Sequence, residues 1–390
     1  MIHIIRLGPS RSSSKSPRVF VGLSPPLAER RGLALPSDMI SRHNVSLVAF
    51  VSALAVGCAS GPPPPPAAPA PQPAVTITAL AAEPAPPPPP SPQELKRADD
   101  LKKLQDDRAQ FEQEKQAELL RWTPEMHAAA KALAETAYSS GRAGVQAAMA
   151  GKHRRPGNAA RDAYRHPVET LDFLGFKPTM TVLEVGPGEG WYTELLAPAL
   201  AKKGKLLVTM SDPNGPVDQR STLNGQRFKA FLDTAPELYG KVQAVVVDGQ
   251  APVLGLDGTV DLVLLMREVH GMYNSKTLGA WLAESYKALK PGGVLGIEEH
   301  RAKPDSNPAE TSPKGYVPEK WVIDQVQAAG FKFVAKSEVS ANPKDTKDYP
   351  EGVWSLPPTY REKDKNRDQY KAIGESDRMT LKFAKPAAAK

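Results

Sequence analysis

The chain has 390 residues, enough for two average domains or one large one with appendages. Hydrophobic residues make up 41% and charged ones 24%, a balance that excludes a multi-span membrane protein. The formal net charge of +7 is uneven: residues 1–58 hold seven basic side chains against Glu29 and Asp38, so +5 lies there and +2 in the rest, and no nucleic-acid footprint is expected.

Residues 1–38 are Ser/Arg-rich and patternless, and read as a non-native extension or a miscalled start ahead of Met39. From Met39 a charged Met-Ile-Ser-Arg-His leads into an apolar run, 45–56, that ends Leu54-Ala55-Val56-Gly57-Cys58. That is signal-peptide architecture over 39–58, too short to span a bilayer comfortably. Cys58 is the sole cysteine, which excludes an intrachain disulfide and a cysteine-based zinc site. Of the 40 prolines, 15 fall in residues 61–92, so 59–92 is expected to be an extended spacer. Acidic and basic residues then alternate densely over 93–122, with Leu95, Leu101, Leu104 and Phe111 loosely periodic. A solvated helical stalk is expected there, with a short coiled coil as the alternative. The leader resembles that of a bacterial lipoprotein. The resemblance implies a lipid anchor at Cys58 and a place in the cell envelope, on the periplasmic side; a leader that does not function would leave the chain cytoplasmic.

Residues 123–390 carry the patterns of a folded domain. Thr123-Pro124-Glu125 is a helix start, and an Ala-rich helical run to Met149 is broken near 139–141. A turn-rich basic segment, 151–165, follows. Apolar β-rich runs at 181–185, 205–210, 242–247, 260–266 and 293–298 alternate with helical stretches such as 192–201 and 276–290. This alternation predicts an α/β fold, a doubly wound Rossmann-like sheet with helices on both faces. Residues 331–339 and 379–383 alternate in and out instead, as a final antiparallel pair would. Between them lies a long polar, Pro-rich stretch with Trp354.

The first strand ends in Glu184-Val185-Gly186-Pro187-Gly188-Glu189-Gly190. Glycines at a strand's carboxyl end let the backbone turn sharply and approach a ligand. A dinucleotide site would need its third glycine where Trp191 stands, which argues against a nicotinamide oxidoreductase. Asp212 follows the second strand, where an acid either accepts from both ribose hydroxyls or caps the turn at Pro213. Asp248-Gly249 ends the third strand, and Leu289-Lys290-Pro291-Gly292-Gly293 forms a turn into the fifth.

Together these residues resemble the class I S-adenosylmethionine-dependent methyltransferases. The resemblance implies a seven-stranded sheet and S-adenosylmethionine as cofactor, with Glu184, Gly186, Pro187, Gly188, Gly190, Asp212, Asp248 and Gly249 around it. An ordinary Asp-Gly turn is the other reading of Asp248. A group of bacterial predicted methyltransferases, many with export signals, is more similar still. Its marks are Arg161-Asp162-Ala163-Tyr164-Arg165-His166-Pro167-Val168-Glu169-Thr170, Glu299-His300-Arg301-Ala302 and Gly374-Glu375-Ser376-Asp377-Arg378-Met379.

Methyl transfer from a sulfonium is an in-line displacement that needs alignment, exclusion of water and a proton acceptor, but no metal. Glu268 and His270 after the fourth strand, and His300 after the fifth, are the candidate catalytic residues. Arg165 is expected either to hold the methionine carboxylate or to form a surface salt bridge. Tyr316, Trp354 and Tyr360 line a substrate pocket or serve as packing. A small molecule is the expected acceptor, without nucleic acid; the sequence carries no signal of oligomeric state. A catalytically silent, exported binding module is the alternative function.

Overall fold

The computed structural model describes residues 4–5 and 90–387. The leader 39–58 with Cys58, nearly all of the 59–92 spacer and most of the 1–38 extension lie outside the described residues.

Eight strands form one sheet: β1 (Ile4–Ile5), β2 (Thr181–Val185), β3 (Lys205–Met210), β4 (Gln243–Val246), β5 (Val260–Met266), β6 (Leu289–His300), β7 (Lys332–Ser337) and β8 (Arg378–Ala384). Their order is β1-β4-β3-β2-β5-β6-β8-β7. The two-residue β1 pairs in parallel with β4 at the edge, an element not expected from the patternless first 38 residues. The other seven strands make the seven-stranded sheet that the sequence resemblance implies, in which β8 alone runs antiparallel to its neighbours β6 and β7. The in-and-out pattern at the end of the chain marks that pair.

The apolar runs of the central strands reflect burial on both faces. Val182, Leu206, Val208, Leu262 and Leu264 join one core with Leu195, Leu196 and Phe228. Their alternates Leu183, Leu207, Val263 and Leu265 join the other, with Trp281, Leu282 and Val322. β6 is longer than expected. Its register with β5 jumps from Val260↔Leu289 to Leu262↔Val294, so the turn expected at 289–293 is an irregularity inside the strand, with Gly292 at φ +80°.

The helix Pro92–Arg121 begins at a capping box: Ser91 Oγ accepts from Glu94 N, and Glu94 Oε2 accepts from Ser91 N at 2.7 Å. Thr123 caps Pro124–Glu135 from its hydroxyl, and Ser140 does the same for Gly141–Met149. Among the described residues no helix is long and apolar enough to cross a membrane. Pro92–Arg121 does not stand clear of the domain as a solvated stalk would. Leu104 and Phe111 are buried with Leu223 of the helix Arg220–Asp233.

The stretch between β7 and β8 is ordered. It carries a short 3-10 turn (Gly352–Ser355), a helix (Arg367–Ile373) and its own small core of Tyr349, Leu356 and Tyr370. Asp345 fixes it by accepting from Tyr316 Oη and from Asp377 N at 2.8 Å.

Candidate cofactor cleft and acceptor site

The glycine loop runs from the end of β2 to the helix Thr193–Leu200. Gly186 N donates to Thr209 Oγ1 at 2.9 Å, tying the loop to β3. A methyl group on Gly186 would stand 2.5 Å from the Glu268 carboxyl carbon, so only glycine lets Glu268 lie against the loop. Gly188, at φ +57°, has no atom within 4 Å of the place a Cβ would take. Gly190 lies under the Phe231 ring, and its carbonyl accepts from Glu194 N.

Gly186, Pro187, Gly188, Ser211, Gly249 and Glu268 line a cleft of about 500 Å³ at the carboxyl ends of the strands. Asp212 and Asp248 sit beside its lining residues Ser211 and Gly249. Asp212 accepts from Asn214 N and Asp248 from Gln250 N, both at 2.9 Å, so each shapes its own turn. Glu184 does not line the cleft. It is buried, accepts from Thr193 Oγ1 at 2.7 Å, and burial pushes its carboxyl up to about 7.

Sequence reasoning missed Glu194, which nothing in its local pattern distinguishes from a solvated acid. Its fully buried carboxylate accepts from Arg154 Nε and Arg155 N, both at 2.8 Å, and from Asn158 Nδ2 at 3.0 Å. The basic segment 151–165 is thereby fastened to the helix that opens after the glycine loop. Trp191, whose Nε1 donates to Asn158 O, lies beside Arg154 and Arg165. Arg165 is buried, its guanidinium 4.5 Å from the Trp191 ring and its Nε 3.4 Å from Glu375 Oε2. It forms a salt bridge, though a buried one, and lies outside the cleft lining; its Nη1 has no hydrogen-bond partner among the described residues.

Beyond Glu268 the ends of β5 and β6 bring both histidines together, with ring centroids 5.6 Å apart. His270 Nδ1 donates to Glu299 Oε1 at 3.0 Å, and Glu299 also accepts from the backbone of His270 and His300. Burial pulls the His270 imidazole down, but the Glu299 carboxylate outweighs it and the net shift is upward. Burial and the adjacent His270 hold His300 well below the usual range; its Nδ1 pairs with Ser376 Oγ at 2.5 Å. Burial, with Glu299 nearby, pushes Glu268 up to about 8, and its carboxyl has no hydrogen-bond partner among the described residues. Glu298, also absent from the sequence reading, is fully buried with Arg267 Nη1 at 2.9 Å and Tyr192 Oη at 3.2 Å.

Of the three aromatic candidates, Trp354 lies 6.0 Å from the His270 ring, centroid to centroid. Tyr316 is 6.4 Å from His300 but commits its hydroxyl to Asp345. Tyr360 packs against the Tyr349–Leu356–Tyr370 cluster, under Arg367, as a packing residue.

Residues 157–335 match the family model of a methyltransferase domain. No curated protein is similar in sequence. Among solved structures, a SAM-dependent methyltransferase from Aquifex aeolicus is 19% identical, covering 58% of this chain and 93% of that one at a TM-score of 0.39. The 1,6-didemethyltoxoflavin-N1-methyltransferase of Burkholderia thailandensis, solved with 1,6-didemethyltoxoflavin and S-adenosylhomocysteine, is 14% identical, covering 57% and 78% at 0.32. Neither overlay is close enough to bear on function. The matched segment spans the glycine loop and the residues that line the cleft, so that part of the chain is similar to a methyltransferase domain. S-adenosylmethionine is the cofactor that the sequence resemblance implies for it.

Proposed function

We propose that the chain methylates a proton-bearing oxygen or nitrogen of a small-molecule acceptor, with His270 taking the proton. The observation that carries this reading is the His270–Glu299 pair, set two residues beyond Glu268 of the cleft wall. The cleft fits the cofactor: open space at Gly188 admits a ligand, and the Glu268 carboxyl, without a hydrogen-bond partner among the described residues, suits a cationic one. Gly186, Pro187, Gly188 and Gly249 would hold it, with Asp212 on the ribose and Asp248 beside the adenine.

When bound, the cofactor supplies a methyl group activated on a sulfonium. Glu299 fixes His270 by accepting a hydrogen bond from Nδ1–H, which leaves Nε2 as the base. His300, held neutral, adds no second positive charge beside it. Trp354 supplies an apolar wall that limits water at the imidazole. Arg165 is assigned to positioning, through Trp191, rather than to a carboxylate.

The test is transfer from methyl-labelled cofactor to a panel of phenols, amines and imidazoles. His270→Ala should slow transfer by roughly 10²–10⁴-fold. Undiminished transfer in a folded variant would contradict the role. We further propose, from the leader sequence alone, that Cys58 carries a lipid anchor and places the domain in the cell envelope.

A further inference from the structure

We infer that Arg108, on the helix Pro92–Arg121, is a positioning residue for the cofactor: it holds the loop that presents Asp212. This rests on the reading of Asp212 as the ribose ligand.

Residues 211–219 join β3 to the helix Arg220–Asp233. Within the loop, Asn214 N donates to Asp212 Oδ1 and Gln219 N to Pro216 O. Pro213 is buried, but residues 216–219 are exposed, Val217 at 74%, so apolar burial does not anchor the later half of the loop. Arg108 does: Nη2 and Nε donate to Val217 O at 2.6 and 3.1 Å, and Nη1 donates to Gln226 Oε1 at 2.8 Å. Gln226 Nε2 in turn donates to Pro213 O at 3.0 Å, one residue past Asp212. A guanidinium thus holds the loop at two points after Asp212, directly at 217 and by relay at 213. Its rigid fork makes these bonds at once, which a lysine ammonium on a flexible stem would not reproduce. The preceding residue works on the same region: Asp107 pairs with Arg220, and its carbonyl accepts from Nη2 of Arg227, which lines the cleft. The helix therefore acts as a clamp on the cofactor site as well as a connection to the chain before it.

The test compares S-adenosylmethionine binding to the full-length chain, by calorimetry, in Arg108→Ala, Asp212→Ala and the double variant. Hydrogen exchange over 211–219 is followed in parallel. Arg108→Ala should weaken binding about tenfold and speed exchange in that loop, and the double variant should bind no worse than Asp212→Ala alone. Binding within twofold of wild type in a folded Arg108→Ala, or losses that multiply in the double variant, would overturn the inference. Asp212→Ala binding like wild type would remove the ribose reading itself, and the route through Asp212 with it. Should Arg108→Ala fail to fold, Gln226→Ala cuts the relay to Pro213 and should weaken binding several-fold; unchanged binding there overturns the inference equally.

Discussion

Glu194 anchors the segment laid over the glycine loop, and its carboxylate is wholly removed from water. Without it Arg154 keeps Asp162 at 2.9 Å, but Arg154 Nε, Arg155 N and Asn158 Nδ2 lose their acceptor, so Glu194→Ala should cost about 2–3 kcal/mol in denaturant unfolding. A loss below about 1 kcal/mol would show that Asp162 alone is enough to hold Arg154 and its segment. Glu268 makes a prediction about protons. Its carboxyl titrates near 8 and is mostly protonated at pH 7, and a cationic ligand in the cleft favours the ionised form. Binding of S-adenosylmethionine at pH 7 should release a proton from Glu268 and tighten as pH rises from 7 to 8. Calorimetry in buffers of different ionisation enthalpy measures that release, which Glu268→Gln should reduce; equal release by both proteins would contradict it. For His270 the sign follows from its upward shift. The base form gains population only above the ordinary histidine range, so kcat/KM should rise on the alkaline side of it. Glu299→Gln removes the upward push and should move that rise to lower pH, whereas a profile that stays in place would exclude Glu299 from the pair.

At the scale of elements, the strands were legible where burial on both faces writes an apolar run. The bounds expected for 181–185, 205–210 and 260–266 are those observed. β1 was not legible, since two residues carry no period and their pairing depends on a distant edge. The site was legible in part. Gly186, Gly188 and Gly249 could be read because turn and strand-end chemistry is local, while Glu194 looks like any surface acid until the fold buries it. The charged helix is a similar case, because its loose periodicity becomes a docking face only beside Leu223. Phe111→Ala should lower stability by about 3 kcal/mol and raise hydrogen exchange in both helices. A loss confined to the first helix would show that the contact does not support Arg220–Asp233.

For the whole molecule, cofactor chemistry and the leader make opposite demands, since S-adenosylmethionine is a cytosolic metabolite and the leader implies export. Fractionation of the chain beside Cys58→Ala addresses the second. A lipid anchor predicts membrane association that the substitution abolishes, and two equally soluble proteins would end that proposal. The central claim is that the cleft at Gly186–Gly188 binds S-adenosylmethionine. Calorimetric titration of the full-length chain, beside Gly188→Arg and with NADH as a control ligand, tests it most directly. Micromolar binding of S-adenosylmethionine is expected, none of NADH, and loss of binding in a folded Gly188→Arg whose side chain fills the open space. A folded wild-type chain that binds no S-adenosylmethionine, or a folded Gly188→Arg that binds it as well as wild type, would contradict it.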